Sequence, residues 1–337
     1  MPIQFITNNQ SIIDNVNSFV DEWHTGNTFI EVQTSGSTGN PKTIKLSKSY
    51  MKASAIATGT HLGLKSGDSS LLCLSTDTIG GRMMIVRSIV LGLKLFVADV
   101  SSTPLVNLEN EIDFAAMVPL QVEGCLENKP SKLDFIKKLI IGGAPVNKLL
   151  IKSLTSFKGQ AFHTFGMTET ISHIAMRSLN KPLEESFSTL PGISVSTTQD
   201  KTLVIDAPEI GVHELNTNDI VELRSGHNFK WLGRSDFVIN SGGIKIHPEE
   251  IESLLAELIS QPFFIGSTND EKLGRKLILH LECVNTDLTK DQLVACLGNI
   301  KSPKEIHLHQ KFSYTASGKL DRNTTLKAQD RVTRKVL

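Results

Sequence analysis

The sequence predicts an α/β protein: a large amino-terminal α/β domain that includes a small β-rich subdomain, followed by a small α+β domain at the carboxyl end. Three observations support this fold class. Short apolar runs alternate with helix-like segments in the first half of the chain, which is typical of a largely parallel sheet. From residues 190 to 231 short β-like runs alternate with turn residues. After Asp236 compact helix-like and strand-like segments return.

Length and composition limit the classes of protein to consider. With 337 residues the chain can form two domains, and we predict them at residues 1–234 and 235–337. The 35 basic and 35 acidic side chains balance, so nothing indicates a nucleic-acid or acidic-membrane partner. The four cysteines form no C-x-x-C pair, and no apolar run approaches the ~18 residues of a membrane span. We expect a cytoplasmic protein with free thiols and no membrane span.

The individual elements follow from the spacing of apolar residues. Helical spacing predicts a helix over residues 11–24, capped by Ser11, and the apolar residues at 29, 30 and 32 predict a strand. A second helix is expected over residues 47–62. Further strand-like or helix-like segments lie at 71–74, 81–93, 95–98, 115–118, 139–141 and 147–154, and in the carboxyl-terminal domain at 248–259, 277–281, 289–297 and 305–308.

A phosphate-binding loop is predicted at residues 34–43, which read TSGSTGNPKT between the first strand and the second helix. Glycines allow backbone N–H groups to approach an anion, hydroxyl groups add donors, and Lys42 adds a positive charge. The loop of the P-loop NTPases requires a glycine before its lysine, and Pro41 occupies that place here. The sequence therefore predicts a phosphate loop of another kind.

A second polar stretch, HTFGMTET at residues 163–170, contains a carboxylate after two hydroxyls and a glycine. Glu169 would suit Mg²⁺ beside a polyphosphate, although an ordinary turn with a capping threonine fits the same residues. Asp219 is placed to accept hydrogen bonds from ribose hydroxyls, and its ordinary alternative is a turn aspartate. Neither residue decides a function alone.

Two more stretches follow near the carboxyl end. In residues 231–252, Gly242 and Gly243 permit close backbone approach to a ligand or a left-handed turn. Residues 314–322 read YTASGKLDR, and there Lys319 follows a glycine. Taken alone, Lys319 is best interpreted as a solvated surface lysine.

Together, the four stretches resemble the signature motifs of the adenylate-forming superfamily, which contains acyl-CoA and aryl-CoA synthetases, the adenylation domains of peptide synthetases, and luciferase. TSGSTGNPK is similar to the family's phosphate loop, and FGMTE to its adenine and metal motif. GRSDFVINSGGIKIHPEEIE is similar to its hinge and thioester-face motif, and SGKLDR to its catalytic-lysine motif. The four occur in the family's order over residues 34–322.

The resemblance implies a site for ATP, Mg²⁺ and coenzyme A. Phe165 occupies the family's usual tyrosine position and would stack on adenine. Glu169 would bind Mg²⁺, while Asp219 and Arg234 would bind the ribose. The residues implied for ATP and AMP binding are Thr34, Ser35, Gly36, Ser37, Thr38, Gly39, Lys42, Gly143, Ala144, Pro145, His163, Thr164, Phe165, Gly166, Met167, Thr168, Asp219 and Arg234.

The resemblance also implies a reaction in two steps. A substrate carboxylate attacks the α-phosphate of ATP, giving an acyl-adenylate and pyrophosphate, and the thiol of coenzyme A then displaces AMP. Lys319 would neutralise charge at the α-phosphate. The small domain would then rotate about Asp236, so that Lys319 leaves and Gly242 and Gly243 line the thiol tunnel. The catalytic residues implied are Lys319, Thr168 and Glu169.

The chain departs from typical members in two respects. Its phosphate loop begins at residue 34, whereas they carry a long subdomain before it, so we expect a large domain that is truncated at its front. Thr78 stands where many members have an acyl-pocket histidine. The helix that follows, and TETISHIAMR at residues 168–177, resemble the O-succinylbenzoate:CoA ligases of menaquinone synthesis, particularly their short form. Because that acid has a second carboxylate, an arginine in its pocket would have a clear role.

The candidates for the acyl pocket each have an ordinary alternative. Arg82 and Arg177 would otherwise be surface or ion-paired arginines, and Arg87 a helix-edge arginine that extends outward. His173 would otherwise be a core histidine with a satisfied hydrogen bond. The full set of acyl-pocket candidates is Thr78, Arg82, Arg87, His173 and Arg177.

The expected function is ATP-dependent acid:CoA ligation through an acyl-adenylate, converting O-succinylbenzoate to O-succinylbenzoyl-CoA in menaquinone biosynthesis. The alternatives are another aryl- or acyl-CoA synthetase, an adenylation enzyme that loads a carrier protein, and a non-catalytic nucleotide-binding homologue. The expected partners are a small carboxylic acid, ATP and coenzyme A, with no nucleic acid, and the resemblance leaves room for a homodimer.

Overall fold

The computed structural model describes residues 1–33, 43–314, 320–328 and 332–336. Its helices are α1 (Gln10–His24), α2 (Lys48–Leu62), α3 (Ile79–Leu91), α4 (Pro119–Asn128), α5 (Pro130–Leu133), α6 (Lys148–Leu154), α7 (Pro248–Leu255), α8 (Lys290–Lys301) and α9 (Arg322–Lys327). Its strands are β1 (Ile3–Phe5), β2 (Phe29–Gln33), β3 (Thr43–Ser47), β4 (Ser69–Leu72), β5 (Lys94–Val97), β6 (Ile112–Met117), β7 (Ile136–Ile141), β8 (Gln160–Gly166), β9 (His173–Ser178), β10 (Phe187–Thr189), β11 (Ser194–Thr197), β12 (Thr202–Ala207), β13 (Val212–Ser225), β14 (Asn228–Arg234), β15 (Ile239–Ser241), β16 (Ile244–Ile246), β17 (Phe263–Asp270), β18 (Gly274–Glu282), β19 (Glu305–His309) and β20 (Val332–Val336). Within these residues no helix is long and apolar enough to cross a membrane.

One large sheet organises the first part of the chain. It contains twelve of the described strands in the order β1-β5-β4-β6-β7-β8-β9-β10-β14-β13-β12-β11. Neighbouring strands from β1 to β8 are parallel, and those from β8 to β11 are antiparallel. This confirms the predicted α/β class. The β-rich stretch after residue 190 does form strands, and these continue the same sheet.

Helices cover both faces of the parallel half of this sheet. Phe114 and Ala116 of β6 join one hydrophobic core with α1, α2 and α3, whereas Ala115 and Met117 join a second core with α4 and α6. Successive side chains of a strand point to opposite faces, so a strand covered on both sides must be apolar throughout. This is why short, continuous apolar runs in the sequence predict these strands.

The helix predicted at residues 11–24 is α1, with one correction at its start. The side chain of Asn9, not that of Ser11, caps the helix, because Asn9 Oδ1 accepts the Ser11 N–H at 3.1 Å. The helix predicted at residues 47–62 is α2, which begins after Ser47. The periodicity therefore located both helices to within one or two residues.

The strand predicted before the phosphate loop is β2, but it does not lead directly into a helix. It pairs antiparallel with β3, a strand that the sequence did not indicate, and Gln33 lies opposite Thr43. Gln33 and Thr43, the residues that flank the segment 34–42, are therefore adjacent. The predicted phosphate loop connects two paired strands rather than a strand and a helix.

The last hundred residues have a core of their own. Strands β17, β18, β19 and β20 form a four-stranded sheet, and α7 and α8 pack on it through Ile251, Leu255 and Leu293. The buried members of this core all lie between residues 239 and 308. The domain boundary at residues 234 and 235 stays a prediction.

A buried ion pair fastens α9 to this core. Arg322 Nη2 donates to Glu252 Oε2 of α7 at 2.8 Å, and both side chains are 17% exposed. The guanidinium also lies 4.7 Å from the ring centre of Phe237 and 5.6 Å from that of Phe264. Such stacking on aromatic faces is a typical environment for a structural arginine.

Candidate nucleotide and acid site

The candidate site lies where the parallel strands end. Strands β4, β6, β7 and β8 are neighbours that run in the same direction, so the loops that follow them share one edge of the sheet. In open α/β sheets ligands bind outside the carboxyl ends of the strands. The predicted residues on these loops are Thr78, Gly143, Ala144, Pro145, Met167, Thr168 and Glu169.

The turn after β8 has a fixed and strained conformation. The Thr170 hydroxyl donates to the carbonyl of Ser172 at 2.7 Å and closes the turn. Ile171 has φ of +67°, which is a rare conformation for a β-branched residue, and its side chain is buried. Packing therefore holds the turn, which presents Thr168 and the exposed Glu169 at the edge of the sheet.

Phe165 supplies an aromatic face beside this turn. Its ring centre lies 5.7 Å from that of Phe187 and 5.2 Å from that of Phe229. The next residue has to be Gly166, because a Cβ there would overlap the carbonyl of Ser172. This close approach of β8 and β9 accompanies an irregularity in their pairing. The position predicted for adenine stacking is thus supported by packed aromatic rings.

Asp219 and Arg234, predicted as ribose ligands, lie opposite each other on β13 and β14. Trp231 Nε1 donates to Asp219 Oδ1 at 2.9 Å, and Oδ2 has no partner among the described residues. Burial raises the pKa of Asp219, while the Trp231 hydrogen bond and the charge of Arg234 oppose that shift. Arg234 also pairs with Asp236 at 2.5 Å. The structure brings the predicted pair together and adds Trp231, whose role the sequence did not indicate.

The predicted loop after β7 packs directly against β8. The Thr164 hydroxyl donates to the carbonyl of Ile141 at 3.2 Å, and a Cβ at Gly142 would overlap that hydroxyl. Gly143 follows with φ of +81°, and an added Cβ would lie 3.4 Å from Val118. A side chain at Gly142 would therefore push the loop away from β8, whereas Gly143 is favoured by its left-handed φ.

His163 and Arg177 form a pair across β8 and β9. Arg177 Nε donates to His163 Nδ1 at 3.3 Å, and the guanidinium lies 5.2 Å from the ring centre of Phe187. Its other hydrogen bond goes to the carbonyl of Glu185 at 3.4 Å. Among the described residues, the contacts of Arg177 are with His163, Phe187 and Glu185, and it shares none of them with Arg87.

Arg87 is buried, at 2% exposure, so the interpretation of it as an arginine that extends outward is wrong. Its Nε donates to Thr58 Oγ1 at 3.3 Å, its Nη2 to Ser172 Oγ at 2.6 Å, and its Nη1 contacts Met84 Sδ at 3.8 Å. No carboxylate within the described residues pairs with it. We call Arg87, Thr58, Ser172 and His173 the Arg87 cluster.

The hydrogen bonds of the Arg87 cluster determine which ring nitrogen of His173 carries the proton. Thr58 Oγ1 donates to the Ser54 carbonyl at 3.0 Å and therefore accepts from His173 Nε2 at 3.0 Å. His173 Nδ1 is then the acceptor that faces Ser172 Oγ at 3.4 Å. Burial, reinforced by the charge of Arg87, holds the pKa of His173 well below its usual range. His173 is thus neutral beside a buried cation.

Burial also lowers the pKa of Arg87, to about 9. The pKa falls because burial removes water from the charged guanidinium and no carboxylate of the described residues compensates for that loss. The guanidinium has five N–H groups, of which three have partners. Two donors therefore have no partner among the described residues and suit a ligand.

Thr78 and Arg82 lie at the start of the helix that carries Arg87. Thr78 caps α3 with its hydroxyl and is exposed. Arg82 donates from Nε to the carbonyl of Thr76 at 2.8 Å and from Nη1 to the carbonyl of Glu31 at 2.6 Å. Arg82 therefore fastens the loop after β4 to β2. The acyl-pocket role of these two residues stays a prediction.

The glycines predicted to line a thiol tunnel form a hairpin turn. Gly242 and Gly243 have φ of +58° and +81° between β15 and β16, which is the left-handed pair that a two-residue type I′ turn requires. The Gly242 N–H donates to the carbonyl of Leu273 at 2.8 Å. Asp236 lies in a short 3₁₀ turn directly after β14. The tunnel and hinge roles stay predictions.

Some predicted residues lie outside the part of the chain that the structure describes. They are Thr34, Ser35, Gly36, Ser37, Thr38, Gly39, Lys42 and Lys319. Conversely, the structure adds Thr58 and Ser172, which the sequence did not indicate. Thr58 is 115 residues from His173 along the chain, and no spacing rule connects residues so far apart.

A comparison with family models decides the family. The model described as AMP-binding enzyme matches residues 24–212, which is more than half of the chain. The chain belongs to the AMP-binding enzyme family. This AMP-binding enzyme is 27% identical over 335 residues to a 2-succinylbenzoate–CoA ligase from Listeria monocytogenes serotype 4b, with 91% of this chain and 71% of the relative covered. The family confirms the resemblance found in the four motifs.

Solved structures share the fold of this AMP-binding enzyme. An acyl-CoA synthetase (AMP-forming)/AMP-acid ligase II-like protein from Dyadobacter fermentans is 34% identical, with a TM-score of 0.65 and 96% of both chains covered. An O-succinylbenzoate coenzyme A synthetase from Bacillus subtilis, in complex with ATP and magnesium ion, is 22% identical with a TM-score of 0.77. That match covers 88% of this chain and 69% of the other. Together they confirm the predicted fold class.

Proposed function

We propose that the protein is an ATP- and Mg²⁺-dependent acid:CoA ligase whose acid carries a second carboxylate, with O-succinylbenzoate as the preferred substrate. The observation that carries this proposal is the Arg87 cluster. It is a buried cation with a neutral histidine and two hydroxyls at the edge of the site, and no carboxylate of the described residues neutralises it. A ligand carboxylate would complete it.

The energetics support an anionic ligand there. Burying a charge without a partner costs several kcal/mol, and the segment 34–42, which lies outside the described residues, contains no acidic side chain to supply one. The two free N–H donors of Arg87 suit a carboxylate, which accepts paired hydrogen bonds from a guanidinium. Arg87 is therefore the arginine that we assign to the second carboxylate, while Arg82 is held by backbone carbonyls.

The nucleotide would bind along the same edge. Adenine would lie between Phe165 and the loop Gly143–Pro145, the ribose would contact Asp219 and Arg234, and the phosphates would reach Thr168 and the segment 34–42. Glu169 would hold Mg²⁺ together with phosphate oxygens and water. A single exposed carboxylate fits this ion, which commonly takes one or two carboxylates and completes its shell with phosphate and water.

The chemistry asks for positioning and charge neutralisation, not for a covalent nucleophile. The acid carboxylate attacks the α-phosphorus of ATP, the bond to the bridging oxygen breaks, and pyrophosphate leaves. The thiol of coenzyme A then attacks the acyl carbon and AMP leaves. Lys319 would neutralise charge in the first step, and the part after Asp236 would rotate to admit the thiol past Gly242 and Gly243.

The test is pyrophosphate release from ATP with the purified protein, Mg²⁺ and coenzyme A. We expect turnover of O-succinylbenzoate, and far weaker turnover of 4-oxo-4-phenylbutanoate, which lacks one carboxylate. Lys319→Ala is the inactive control. Faster turnover of the acid that lacks the second carboxylate, or of a fatty acid, would overturn the substrate assignment. Release without a coenzyme A product would point to another thiol acceptor.

Two further assignments complete the proposal. We place the reaction in the cytoplasm, because ATP and coenzyme A are available there. A homodimer remains a prediction from the resemblance, and sedimentation velocity of the purified protein would measure it directly.

A further inference from the structure

Arg177 and His163 pack with the aromatic residues around Phe165, on which adenine is proposed to stack. Their backbones are opposite each other in the β8–β9 ladder, and Arg177 Nε donates to His163 Nδ1 at 3.3 Å. The Arg177 guanidinium and the His163 ring both lie against Phe187, with centres 5.2 Å away in each case. Phe187 in turn packs on Phe165, at 5.7 Å. The pair thus belongs to the aromatic group behind the predicted adenine position.

The hydrogen bonds of His163 give its ring a defined orientation. Because Nδ1 accepts from Arg177, the neutral ring carries its proton on Nε2. The backbone of Ala144, in the loop after β7, favours protonation of the ring, and Nε2–H is the ring donor left to face the Ala144 carbonyl oxygen because Nδ1 accepts from Arg177. Burial and the positive charge of Arg177 outweigh the effect of Ala144 and lower the pKa of His163 to about 3. The ring is therefore neutral at physiological pH.

His163 connects Arg177 to the loop Gly143–Pro145, because its strand pairs with Ile141 just before that loop and its ring interacts with the backbone of Ala144. Ala144 lies between Gly143 and Pro145, both of which are exposed, and Gly143 has a left-handed φ of +81°. Because the two residues on either side of Ala144 are exposed, the interaction with His163 limits where the centre of this loop can lie. A flat base between this loop and Phe165 would depend on that position.

We propose that Arg177 is a positioning residue for the purine nucleotide, acting through His163 on the loop Gly143–Pro145. The proposal rests on the proposed function, because it assigns Arg177 to the ATP half of the same site. It also separates two arginines that the sequence placed together in the acyl pocket: Arg87 faces the acid, and Arg177 supports the nucleotide.

The experiment compares Arg177→Leu with Arg87→Lys in the full-length protein, with pyrophosphate release as the assay. For Arg177→Leu we expect the KM for ATP to rise about tenfold, with the KM for the acid and kcat unchanged. For Arg87→Lys we expect the reverse, a higher KM for the acid and an unchanged KM for ATP. A rise in the acid KM of Arg177→Leu would overturn the proposal.

A double-mutant cycle tests whether Arg177 acts through His163. His163→Phe keeps a ring beside Phe187 but removes the hydrogen bond from Arg177 and the interaction with Ala144, and the double variant should bind ATP no more weakly than His163→Phe alone. Fully additive losses would contradict the proposed path. A structural role alone would lower the melting temperature of Arg177→Leu and raise both KM values together.

Calorimetric titration with ATP keeps this test independent of turnover. If the wild-type protein binds ATP but turns over no acid, the proposed ligase activity fails, and weaker ATP binding by Arg177→Leu still supports the positioning role. If the wild-type protein turns over its acid and Arg177→Leu binds ATP as well as wild type, the positioning role fails alone. If the wild-type protein binds no ATP, both proposals fail.

Discussion

Arg87 is buried and Arg322 is largely buried, at 17% side-chain exposure, but only Arg322 has a counter-ion within the described residues. Arg322 pairs with Glu252 at 2.8 Å and lies between the rings of Phe237 and Phe264. Arg87 is less exposed and contacts hydroxyls and a thioether. Arg322 therefore has its counter-ion, although its Nη1 has no hydrogen-bond partner among the described residues, whereas Arg87 has no negative charge beside it there.

This difference separates an arginine that supports the fold from one that receives a ligand. Removing one partner of a buried ion pair leaves the other charge unpaired, which is costly for stability. Removing a buried charge that has no partner relieves a cost instead. Substitution of Arg87 should therefore reduce activity, and substitution of Arg322 should reduce stability. The following measurements test that difference.

The largest effect is expected from Arg87→Met in the activity assay. Loss of a buried, charge-assisted contact with the second carboxylate should cost about 4 kcal/mol, or about 1000-fold in kcat/KM for O-succinylbenzoate. The free energy of unfolding should stay the same or rise, because an unpaired buried charge is gone. The matched substrate is 4-oxo-4-phenylbutanoate. Equal losses for both acids would show that Arg87 supports the pocket without contacting the second carboxylate.

The next effect concerns stability and the other arginine. Arg322→Met leaves the Glu252 carboxylate buried without its cation and should destabilise the carboxyl-terminal core by about 3 kcal/mol. Hydrogen exchange of peptides from α7 and β18 measures this locally, with peptides from α2 as an internal control. The double variant Glu252→Leu, Arg322→Met should recover most of the loss. If Arg322→Met exchanged like wild type, the ion pair would not be structural.

A smaller effect is expected in the pH dependence of stability. Burial, together with the charges of Arg87 and His61, holds the folded-state pKa of His173 below its usual value. The unfolded chain then binds more protons, so the free energy of unfolding falls as pH drops below about 6.5, by at most about 1.4 kcal/mol per pH unit for this one group. In Arg87→Met the pKa of His173 is less depressed and the decline should be shallower.

The measurement is denaturant unfolding of wild type and Arg87→Met between pH 7.5 and 5. Other buried histidines, such as His163 and His280, whose pKa values are both about 3, contribute equally to both proteins. Their effects cancel in the difference, which isolates His173. Parallel curves would mean that Arg87 does not act on His173.

The smallest effect is expected from an exposed pair. Lys148 of α6 and Glu257, just after α7, lie 3.4 Å apart, but their side chains are 41% and 63% exposed. Lys148→Ala should change the free energy of unfolding by less than about 0.5 kcal/mol and leave turnover unchanged. A large loss of turnover would show that this contact controls how the two parts of the chain are arranged.

The sequence predicted the features whose signal is local. The apolar spacing of α1 and α2 and the continuous apolar runs of the parallel strands are sufficient to locate these elements, because the pattern within each segment shows which of its faces are buried. The error at Asn9 and Ser11 is of the kind that periodicity cannot avoid, since both residues can cap a helix and both precede its first apolar residues, Ile12 and Ile13. Strand β3 was missed because its apolar residues, Ile44 and Leu46, are only two.

The site depended on contacts between distant segments, and there the sequence was less informative. Thr58, Arg87 and Ser172 come together from α2, α3 and the turn before β9, which no motif connects. The burial of Arg87 could have been predicted. Residues 83–86 beside it are all buried, and a helix that is apolar on every side is a buried helix, which leaves an arginine on it no direct path to water.

The turn between β8 and β9 has a consequence for how the two substrates bind. Phe165 lies at one end of the turn, and Ser172 and His173 lie at the other. A few residues therefore connect the contacts assigned to the nucleotide with those assigned to the acid, and Thr170 and Ile171 hold the conformation of these residues. Because packing holds this turn in one conformation, a ligand that shifts the residues at one end also shifts those at the other, so binding at one end affects binding at the other. By linkage the effect has to be reciprocal: ATP should tighten the acid, and the acid should tighten ATP, by the same factor.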